Sequence, residues 1–313
     1  MDQRIMGKGI RDMENKKIRK KDSNSITRAY LDSLLVEQRL IDSELPDLTT
    51  TIFGKEYRTP IMNAAFSHLH SYCEDAAAEM AKGIKEAGAL NWWGMSNDAE
   101  MESIFATGCD TVKIIKPFAD EKKIFHEMEH AISHGAVAVG MDLDHAYDRS
   151  GHYDNVMGEE MRPKTLTQIR EYVKAAGDVP FVIKGVLSLQ DAQKCAEAGV
   201  KGIMISHHHG IFDYAVPPLM ILPEVKEAVG DELEIFVDCG MDSGMDVFKA
   251  LALGASAVSV SRHLLEYLKN GQAQAVTERM NEMAGELRSI MARCGCSGVE
   301  NIDQTIIRQR VEF

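Results

Sequence analysis

Residues 234–262 read EIFVDCGMDSGMDVFKALALGASAVSVSR: an apolar strand, a glycine-containing turn, an amphipathic helix and a second apolar strand. Strands and helices of these lengths in alternation indicate βαβ units and a parallel sheet. The same alternation extends through the chain in eight apolar runs, at 60–66, 88–94, 111–115, 136–142, 180–185, 202–208, 234–240 and 257–262. Eight such units predict an α/β protein with a closed (β/α)₈ TIM barrel, and a doubly wound open sheet is the alternative.

Length and composition narrow the class of protein. The 313 residues suit one barrel domain at 30–313, preceded by a polar arm at 1–29 and ending in a helical tail at 272–293. The net charge of -13 argues against nucleic-acid binding. No apolar run reaches the ~18 residues of a membrane span, and the first residues lack the apolar core of a signal peptide. The six cysteines form no paired C-x-x-C motif, so we expect reduced thiols in a cytoplasmic protein.

Polar residues follow the predicted strands, where barrel enzymes carry their functional side chains. A buried strand that ends in Asp, Lys or His is costly unless these groups are used or paired. The residues at these ends are Asn63, Asn91, Lys113, Asp142, Lys184, Ser206, His207, His208, His209, Asp238 and Arg262. They predict a functional site at one mouth of the barrel. The glycine turn and helix start after Asp238, together with Arg262, predict that this mouth binds phosphate.

The segment Ser206-His207-His208-His209-Gly210 allows two interpretations. One is a metal site that the three histidines form with Asp142. However, adjacent strand residues point to opposite faces, so three consecutive histidines do not easily converge on one ion. The spacing therefore favours no metal and a single histidine that transfers protons, because imidazole titrates near neutral pH.

Several segments together resemble the FMN-dependent α-hydroxy-acid oxidases and dehydrogenases, which include glycolate oxidase and lactate oxidase. The segments that carry the resemblance are 48–54, 60–62, 181–186, 206–210, 238–255 and Gly295-Cys296. The resemblance implies FMN as cofactor, oxidation of a CH–OH or CH–NH group of a small molecule, and a homotetramer.

The resemblance also implies roles for individual residues. His208 would be the catalytic base and Asp142 the carboxylate paired with it, while Lys184 would lie near the flavin N1–C2=O edge. The other implied flavin contacts are Ala64, Ala65 and Phe66 in the first-strand turn, Asn91 and Lys113 at the isoalloxazine, and Ser206, Asp238, Gly240, Ser261 and Arg262 toward the ribityl phosphate.

The sequence departs from the family pattern around the substrate. Ile211 replaces an arginine that grips the substrate carboxylate, Ile115 replaces a tyrosine, and Asp242 replaces a phosphate-binding arginine. The loop after the fourth strand is short, from 147 to 163. Arg149 keeps the spacing of a second carboxylate-binding arginine and Trp93 that of a pocket tryptophan. We therefore expect a substrate other than a simple small 2-hydroxy acid, with an apolar body against Ile115, Ile211 and Phe212.

Two further functions stay open at this point. One is a flavin enzyme without net redox change, as in the related FMN-dependent isomerases. The other is a non-catalytic FMN-binding barrel, which the loss of charge at Ile211 and Asp242 would suit.

Overall fold

Strands and helices alternate along residues 22–310, the part of the chain that this computed structural model describes. The strands are β1 (Leu34–Val36), β2 (Thr50–Ile52), β3 (Lys55–Tyr57), β4 (Ile61–Asn63), β5 (Asn91–Trp93), β6 (Thr111–Ile115), β7 (Ala138–Asp142), β8 (Asn155–Val156), β9 (Glu159–Glu160), β10 (Phe181–Val186), β11 (Gly202–Ile205), β12 (Glu234–Val237), β13 (Ala257–Val260) and β14 (Ile307–Gln309). The α-helices are α1 (Ser23–Ser33), α2 (Ala76–Glu86), α3 (Asp98–Phe105), α4 (Glu121–Ser133), α5 (Leu166–Ala176), α6 (Leu189–Glu197), α7 (Pro218–Val229), α8 (Gly244–Ala252) and α9 (His263–Cys294).

Eight parallel strands form the predicted TIM barrel. Their order is β4-β13-β12-β11-β10-β7-β6-β5, and each neighbouring pair is parallel. The side chain of Asn63 links β4 and β5, the first and last strands of this order. Its Nδ2 donates to Trp92 O at 3.0 Å, and its Oδ1 accepts from Trp92 N at 2.9 Å. Asn63, expected at the mouth, therefore closes the barrel.

Alternation of side chains along the strands creates two separate apolar clusters. The inner cluster fills the barrel with Met62, Leu90, Trp92, Val112, Ile114, Ala138, Val182, Met204, Phe236 and Ala257. The outer cluster joins the intervening strand residues to the helices. The hairpin of β2 and β3 adds Phe53, whose ring lies edge-on to Phe236 at 5.6 Å, so it plugs the inner cluster. Which face a residue occupies therefore decides whether it can reach the mouth.

The N-terminal boundary differs from the one we predicted at residue 30. Helix α1 begins at Ser23 and is capped by Asp22, whose side chain accepts from Asn24 N. The helix buries Ser23, Thr27 and Leu31, so residues 23–29 are part of the packed domain rather than of a polar arm. The sequence of this segment is polar because the residues that the helix buries include Ser23 and Thr27, whose hydroxyl groups form hydrogen bonds. The predicted arm up to residue 21 lies outside the described residues.

The C-terminal tail packs as predicted. Helix α9 is interrupted at Gly271 and Gln272, and its second part buries Met280, Met283, Leu287 and Met291. Strand β14 then pairs with β1 in antiparallel register, which ties the end of the described chain to its beginning. Within residues 22–310, no helix is long and apolar enough to span a membrane.

Replacing Gly140 with alanine should destabilise the barrel. A Cβ at this position would overlap the carbonyl and a methyl group of Val182 on the neighbouring strand. Overpacking a core in this way costs about 1–3 kcal/mol. We expect a lower melting temperature by circular dichroism. Gly285→Ala on helix α9 is the control, since a Cβ there meets nothing within 4 Å and should stabilise slightly. Equal melting temperatures for the two variants would contradict this account.

Candidate active site

A cavity of about 440 Å³ opens at the carboxyl ends of the barrel strands. The structure brings many of the predicted site residues to its wall: Ala64, Ala65, Phe66, Lys184, His208, Asp238, Ser261 and Arg262. A second cavity, of about 610 Å³, shares Ser261 and Arg262 with the first and contains Gly240. Ser206 lies just beneath, where its Oγ accepts from His208 N at 3.0 Å. The mouth of the barrel therefore holds most of the predicted site.

The three histidines lie in a turn after β11, since that strand ends at Ile205. His208 and His209 adopt left-handed backbone angles, with φ of 47° and 55°. Non-glycine residues in this region store about 1–3 kcal/mol of strain each, and such strain concentrates at functional sites. The turn separates the three side chains as expected, although its cause is the backbone turn rather than strand alternation.

Each histidine has a different environment. His207 is buried, where its Nδ1 accepts from Gly210 N at 3.0 Å and its Nε2 donates to Thr27 Oγ1 at 2.8 Å. His209 is exposed, and its backbone carbonyl accepts from Asn24 Nδ2 at 3.1 Å. Helix α1 thus holds the turn through two hydrogen bonds. His209 lines both cavities beside Arg262, whereas His208 contacts the carboxylates of the mouth.

His208 lies among carboxylates and a lysine. Its Nδ1 is 2.9 Å from Asp144 Oδ1, 3.5 Å from Asp142 Oδ1 and 3.3 Å from Lys184 Nζ. Burial and Lys184 lower the pKa of His208, but the two carboxylates outweigh them and raise it to about 9. The predicted pairing of His208 with Asp142 is present, yet the closer carboxylate is Asp144.

Asp144 and His145 were missed by the sequence analysis. They lie in a 3₁₀ turn, Leu143–His145, directly after β7. His145 Nε2 is 3.0 Å from His208 Nε2, and His145 Nδ1 is 3.1 Å from Asp154 Oδ2. Burial and the adjacent Lys116 lower the pKa of His145, whereas burial and Asp142 raise the pKa of Asp144. The available signal was a second acid and a histidine two and three residues after Asp142.

Four predicted residues do not reach the mouth, because they lie on the outer face of β5 and β6. Lys113 Nζ donates to Gly94 O and Ser96 Oγ and lies 3.3 Å from Glu127 on α4, while Asn91 donates to Thr111 Oγ1. The other two, Trp93 and Ile115, are buried in the outer apolar cluster.

The third barrel strand instead presents Lys116 to the mouth. Lys116 follows Ile115 by one residue and therefore lies on the opposite face, with its Nζ 2.7 Å from Asp142 Oδ2. Burial alone would raise the pKa of Asp142, but Lys116 and Lys184 hold it well below its usual range. A lysine thus occupies the side of the mouth where the family pattern places a tyrosine.

Lys184 is a buried cation between two strand-end carboxylates. Its Nζ lies 3.5 Å from Asp142 Oδ1 and 3.7 Å from Asp238 Oδ2. Burial lowers the pKa of Lys184, but Asp142 and Asp238 raise it above its ordinary value. Lys184 is therefore charged at neutral pH on the wall of the cavity, as its predicted role at the flavin requires.

The start of helix α8 is not free to bind phosphate as we expected. Gly244 N donates to Glu286 Oε2 at 2.7 Å, and Asp246 N donates to Ser243 Oγ at 3.2 Å. The carboxylate of Asp242 is turned to His263, 3.5 Å from its Nδ1, and the proximity of this imidazole lowers the pKa of Asp242. These two backbone N–H groups are therefore occupied, and the positive charge at this end comes from side chains.

Two arginines supply the positive charge at this end. Arg262 lines both cavities, and its guanidinium makes no hydrogen bond or ion pair with any residue of the described chain. Arg28 on α1 lines the second cavity, although its guanidinium also contacts Asp246 at 2.8 Å. A buried ammonium at one end and an unpartnered guanidinium at the other fit FMN, with Lys184 toward the ring system and Arg262 toward the phosphate.

The rim of the mouth is short, as predicted. The loop after β7 forms the small hairpin of β8 and β9, and Arg149 reaches from it to the histidine turn, 3.5 Å from Gly210 O. Ile211 and Phe212 follow on that turn, and Phe212 is 68% exposed. None of these three residues lines the 440 Å³ cavity. These predicted substrate contacts therefore lie outside the cavity, on the loop after β7 and on the histidine turn.

Comparisons with known proteins agree with this arrangement. A family profile described as FMN-dependent dehydrogenase matches residues 13–171 and 147–309. The chain is 28% identical to L-lactate oxidase of Lactobacillus jensenii, covering 90% of this chain and 77% of that protein. It is also 28% identical to 4-hydroxymandelate oxidase of Amycolatopsis orientalis, covering 87% of this chain and 86% of that protein.

Solved structures give the same result for the fold. A crystal structure of mandelate oxidase superposes with a TM-score of 0.85 at 26% identity, covering 93% of this chain and 91% of that one. A mandelate oxidase mutant with a C4a-OH-FMN adduct superposes with a TM-score of 0.85 at 27% identity, covering 93% and 92%. The similarity extends over nearly the whole chain.

Proposed function

The chain belongs to the FMN-dependent dehydrogenase family, and from this premise we propose that it oxidises the hydroxyl-bearing carbon of a 2-hydroxy acid larger than glycolate. The observation that carries the proposal is the position of His208 on the cavity wall, between Asp142 and Asp144 and beside Lys184. An imidazole so placed can accept a proton from a substrate hydroxyl. FMN, when bound, supplies the acceptor for the hydride that leaves the same carbon.

The proton has a defined path through the protein. Because Asp144 holds Nδ1 of His208, Nε2 is the nitrogen through which the imidazole exchanges a proton. In this structure that nitrogen faces Nε2 of His145, 3.0 Å away, and the lowered pKa of His145 keeps His145 neutral. The Nδ1 of His145 donates to Asp154, which fixes the tautomer that exposes Nε2. We propose that this chain conducts the proton from the cavity to the surface loop.

The proposed substrate follows from the charges at the entrance. Ile211 stands where the family pattern has an arginine, so of the two arginines that would hold the substrate carboxylate Arg149 remains. Losing one charged hydrogen bond weakens binding by about 2–5 kcal/mol. Glycolate has no other group to offset this loss, whereas an aryl or alkyl 2-hydroxy acid buries additional apolar surface.

Anaerobic flavin reduction tests this function. The purified protein should be yellow, and substrate should bleach its flavin absorbance under nitrogen. Mandelate, 4-hydroxymandelate and long-chain 2-hydroxy acids should reduce the flavin faster than glycolate at equal concentration. A colourless protein that takes up no added FMN would overturn the proposal, as would a flavin that none of these acids bleaches. Turnover of a substrate without bleaching would point to non-redox chemistry.

The proposal also covers the oligomeric state and the cellular location of the protein. By resemblance to the family we propose a homotetramer, which light scattering on the purified protein tests directly. We also propose a cytoplasmic location, in keeping with free thiols at all six cysteines.

Replacing His145 with phenylalanine should slow turnover by about 10–100-fold, below the usual range for loss of a direct acid–base group. The variant removes the proton acceptor beside His208 Nε2 but leaves the flavin contacts in place. We expect kcat to fall while the FMN dissociation constant and the flavin spectrum stay unchanged. His152→Phe is the control, because His152 is exposed on the same loop and contacts only Ser150 and the Asp148 turn. Unchanged kcat in His145→Phe would exclude the proton path.

A further inference from the structure

A second group of histidines lies on helix α4, outside the barrel mouth. His126, His130 and His134 recur every four residues, so they share one face of the helix and its C-cap. This face is turned to helix α3, from which Asp98 and Glu102 project toward it. The five side chains form a polar seam between two neighbouring helices.

Three of these side chains have the spacing of metal ligands. The ligand atoms of Glu102, His130 and His134 all lie within 4.8 Å of one another. His130 Nε2 is 3.4 Å from Glu102 Oε1. Zinc bonds to histidine nitrogen and carboxylate oxygen measure ~2.0–2.2 Å in tetrahedral sites, and two ligands of such a site are then about 3.4 Å apart. The pair already has this separation.

A hydrogen bond orients the imidazole of His134 for binding, and a nearby carboxylate faces the far nitrogen of His130. His134 Nδ1 is 2.8 Å from the carbonyl of His130, to which it donates, so its Nε2 is left with a free lone pair. The His134 ring also stacks on Phe105 at 5.9 Å with an interplanar angle of 16°. His130 turns its Nδ1 toward Asp98, 3.9 Å from Oδ1, and its Nε2 toward Glu102. Metal-binding histidines typically present this pattern, with one nitrogen facing a carboxylate or carbonyl and the other facing the ion.

Charge around the site favours a cation. Glu102 and Asp98 bring two carboxylates, and within residues 22–310 the ion pairs of both involve only histidines. His130 is largely buried, with 13% of its side chain exposed, while Glu102 is 57% exposed, so an ion can enter from solvent.

We propose that Glu102, His130 and His134 form a binding site for a divalent transition-metal ion of the zinc class, with water as the remaining ligand. Ions of the zinc class bind well to two imidazoles and one carboxylate, whereas Mg²⁺ and Ca²⁺ prefer sites made of oxygen ligands alone. The site joins α3 to α4. It is separate from the flavin cavity, since none of its three ligands lines that cavity. A bound ion would clamp the two helices together.

Zinc binding to the untagged, FMN-loaded full chain tests the proposal. Competition with a chromophoric chelator should give one zinc ion per chain at this site. His130→Ala and His134→Ala should each weaken zinc binding by about 100-fold or more. Loss of a residue that merely orients a metal ligand already costs about 10–100-fold. Glu102→Gln changes an exposed side chain and should also weaken zinc binding. Zinc should also raise the melting temperature of the parent protein but not of His134→Ala.

Two matched variants locate the ion. His126→Ala removes a histidine of the same helix face that lies outside the three ligands, and it should keep zinc affinity within a few-fold. His145→Ala disrupts the other group of candidate ligands, at the barrel mouth, and should also leave affinity unchanged. Absence of zinc binding, binding that survives His130→Ala or His134→Ala, or binding lost only in His145→Ala would each overturn the proposal.

Discussion

His208→Ala should slow flavin reduction by substrate about 10²–10⁴-fold, the contribution of a positioned acid–base group. The reason is that His208 is the histidine of its turn whose ring contacts carboxylates, with Asp142 and Asp144 beside its Nδ1. FMN affinity should change little, because Lys184, Ser261 and Arg262 remain. Stopped-flow measurement of anaerobic bleaching gives the rate, and titration with FMN gives the affinity.

An exposed histidine away from the cavities provides the control. His152→Ala removes an imidazole on the loop after β7 that lines neither cavity, and substrate should reduce the flavin of this variant within a few-fold of the parent rate. If His208→Ala kept the parent rate, or if both variants lost activity equally, His208 would not be the base.

The same residue sets the expected pH dependence. Because the pKa of His208 is raised to about 9, the imidazole is mostly protonated at neutral pH and cannot accept a proton. The rate kcat/KM should therefore rise about tenfold per pH unit below this value and level off near it. Asp144→Asn removes the closest carboxylate and should shift the inflection to lower pH. If Asp144→Asn left the inflection at the same pH, the group that titrates there would not be His208.

Lys184→Met should cause the largest loss of stability. The substitution leaves the buried carboxylates of Asp142 and Asp238 without one of their cations. Breaking a buried ion pair by removing one partner costs about 3–5 kcal/mol, which for a chain of 313 residues corresponds to a decrease of roughly 5–8 °C in melting temperature. Since Lys184 also lines the cavity, FMN binding should weaken in the same variant. Thermal unfolding and FMN titration measure the two effects.

Two variants make this prediction specific. Lys201→Met removes an exposed lysine that lies just before β11 and should leave both quantities near the parent values. Asp238→Asn combined with Lys184→Met should recover part of the stability, because Asp238 loses its cation Lys184 whereas Asp142 keeps Lys116. Equal melting temperatures for Lys184→Met and the parent would show that the ion pairs contribute little.

Local pattern was sufficient to predict the barrel and part of the mouth. Each strand ends within a few residues of the polar group that follows it, so the positions of Asp142, Lys184 and Asp238 at the carboxyl ends follow from the chain itself. The helical tail was predicted for the same reason, because the spacing of Met280, Met283, Leu287 and Met291 repeats with the helix.

Other features depend on strand face and on contacts between distant segments, which only the tertiary structure decides. A shift of one residue exchanges the two faces of a strand, so Lys113 and Ile115 pack outward while Lys116 enters the mouth. His145 meets His208 across 63 residues, and Thr27 meets His207 across 180. No local pattern encodes such distances, because they are set when the barrel closes and brings all its strand ends to one side.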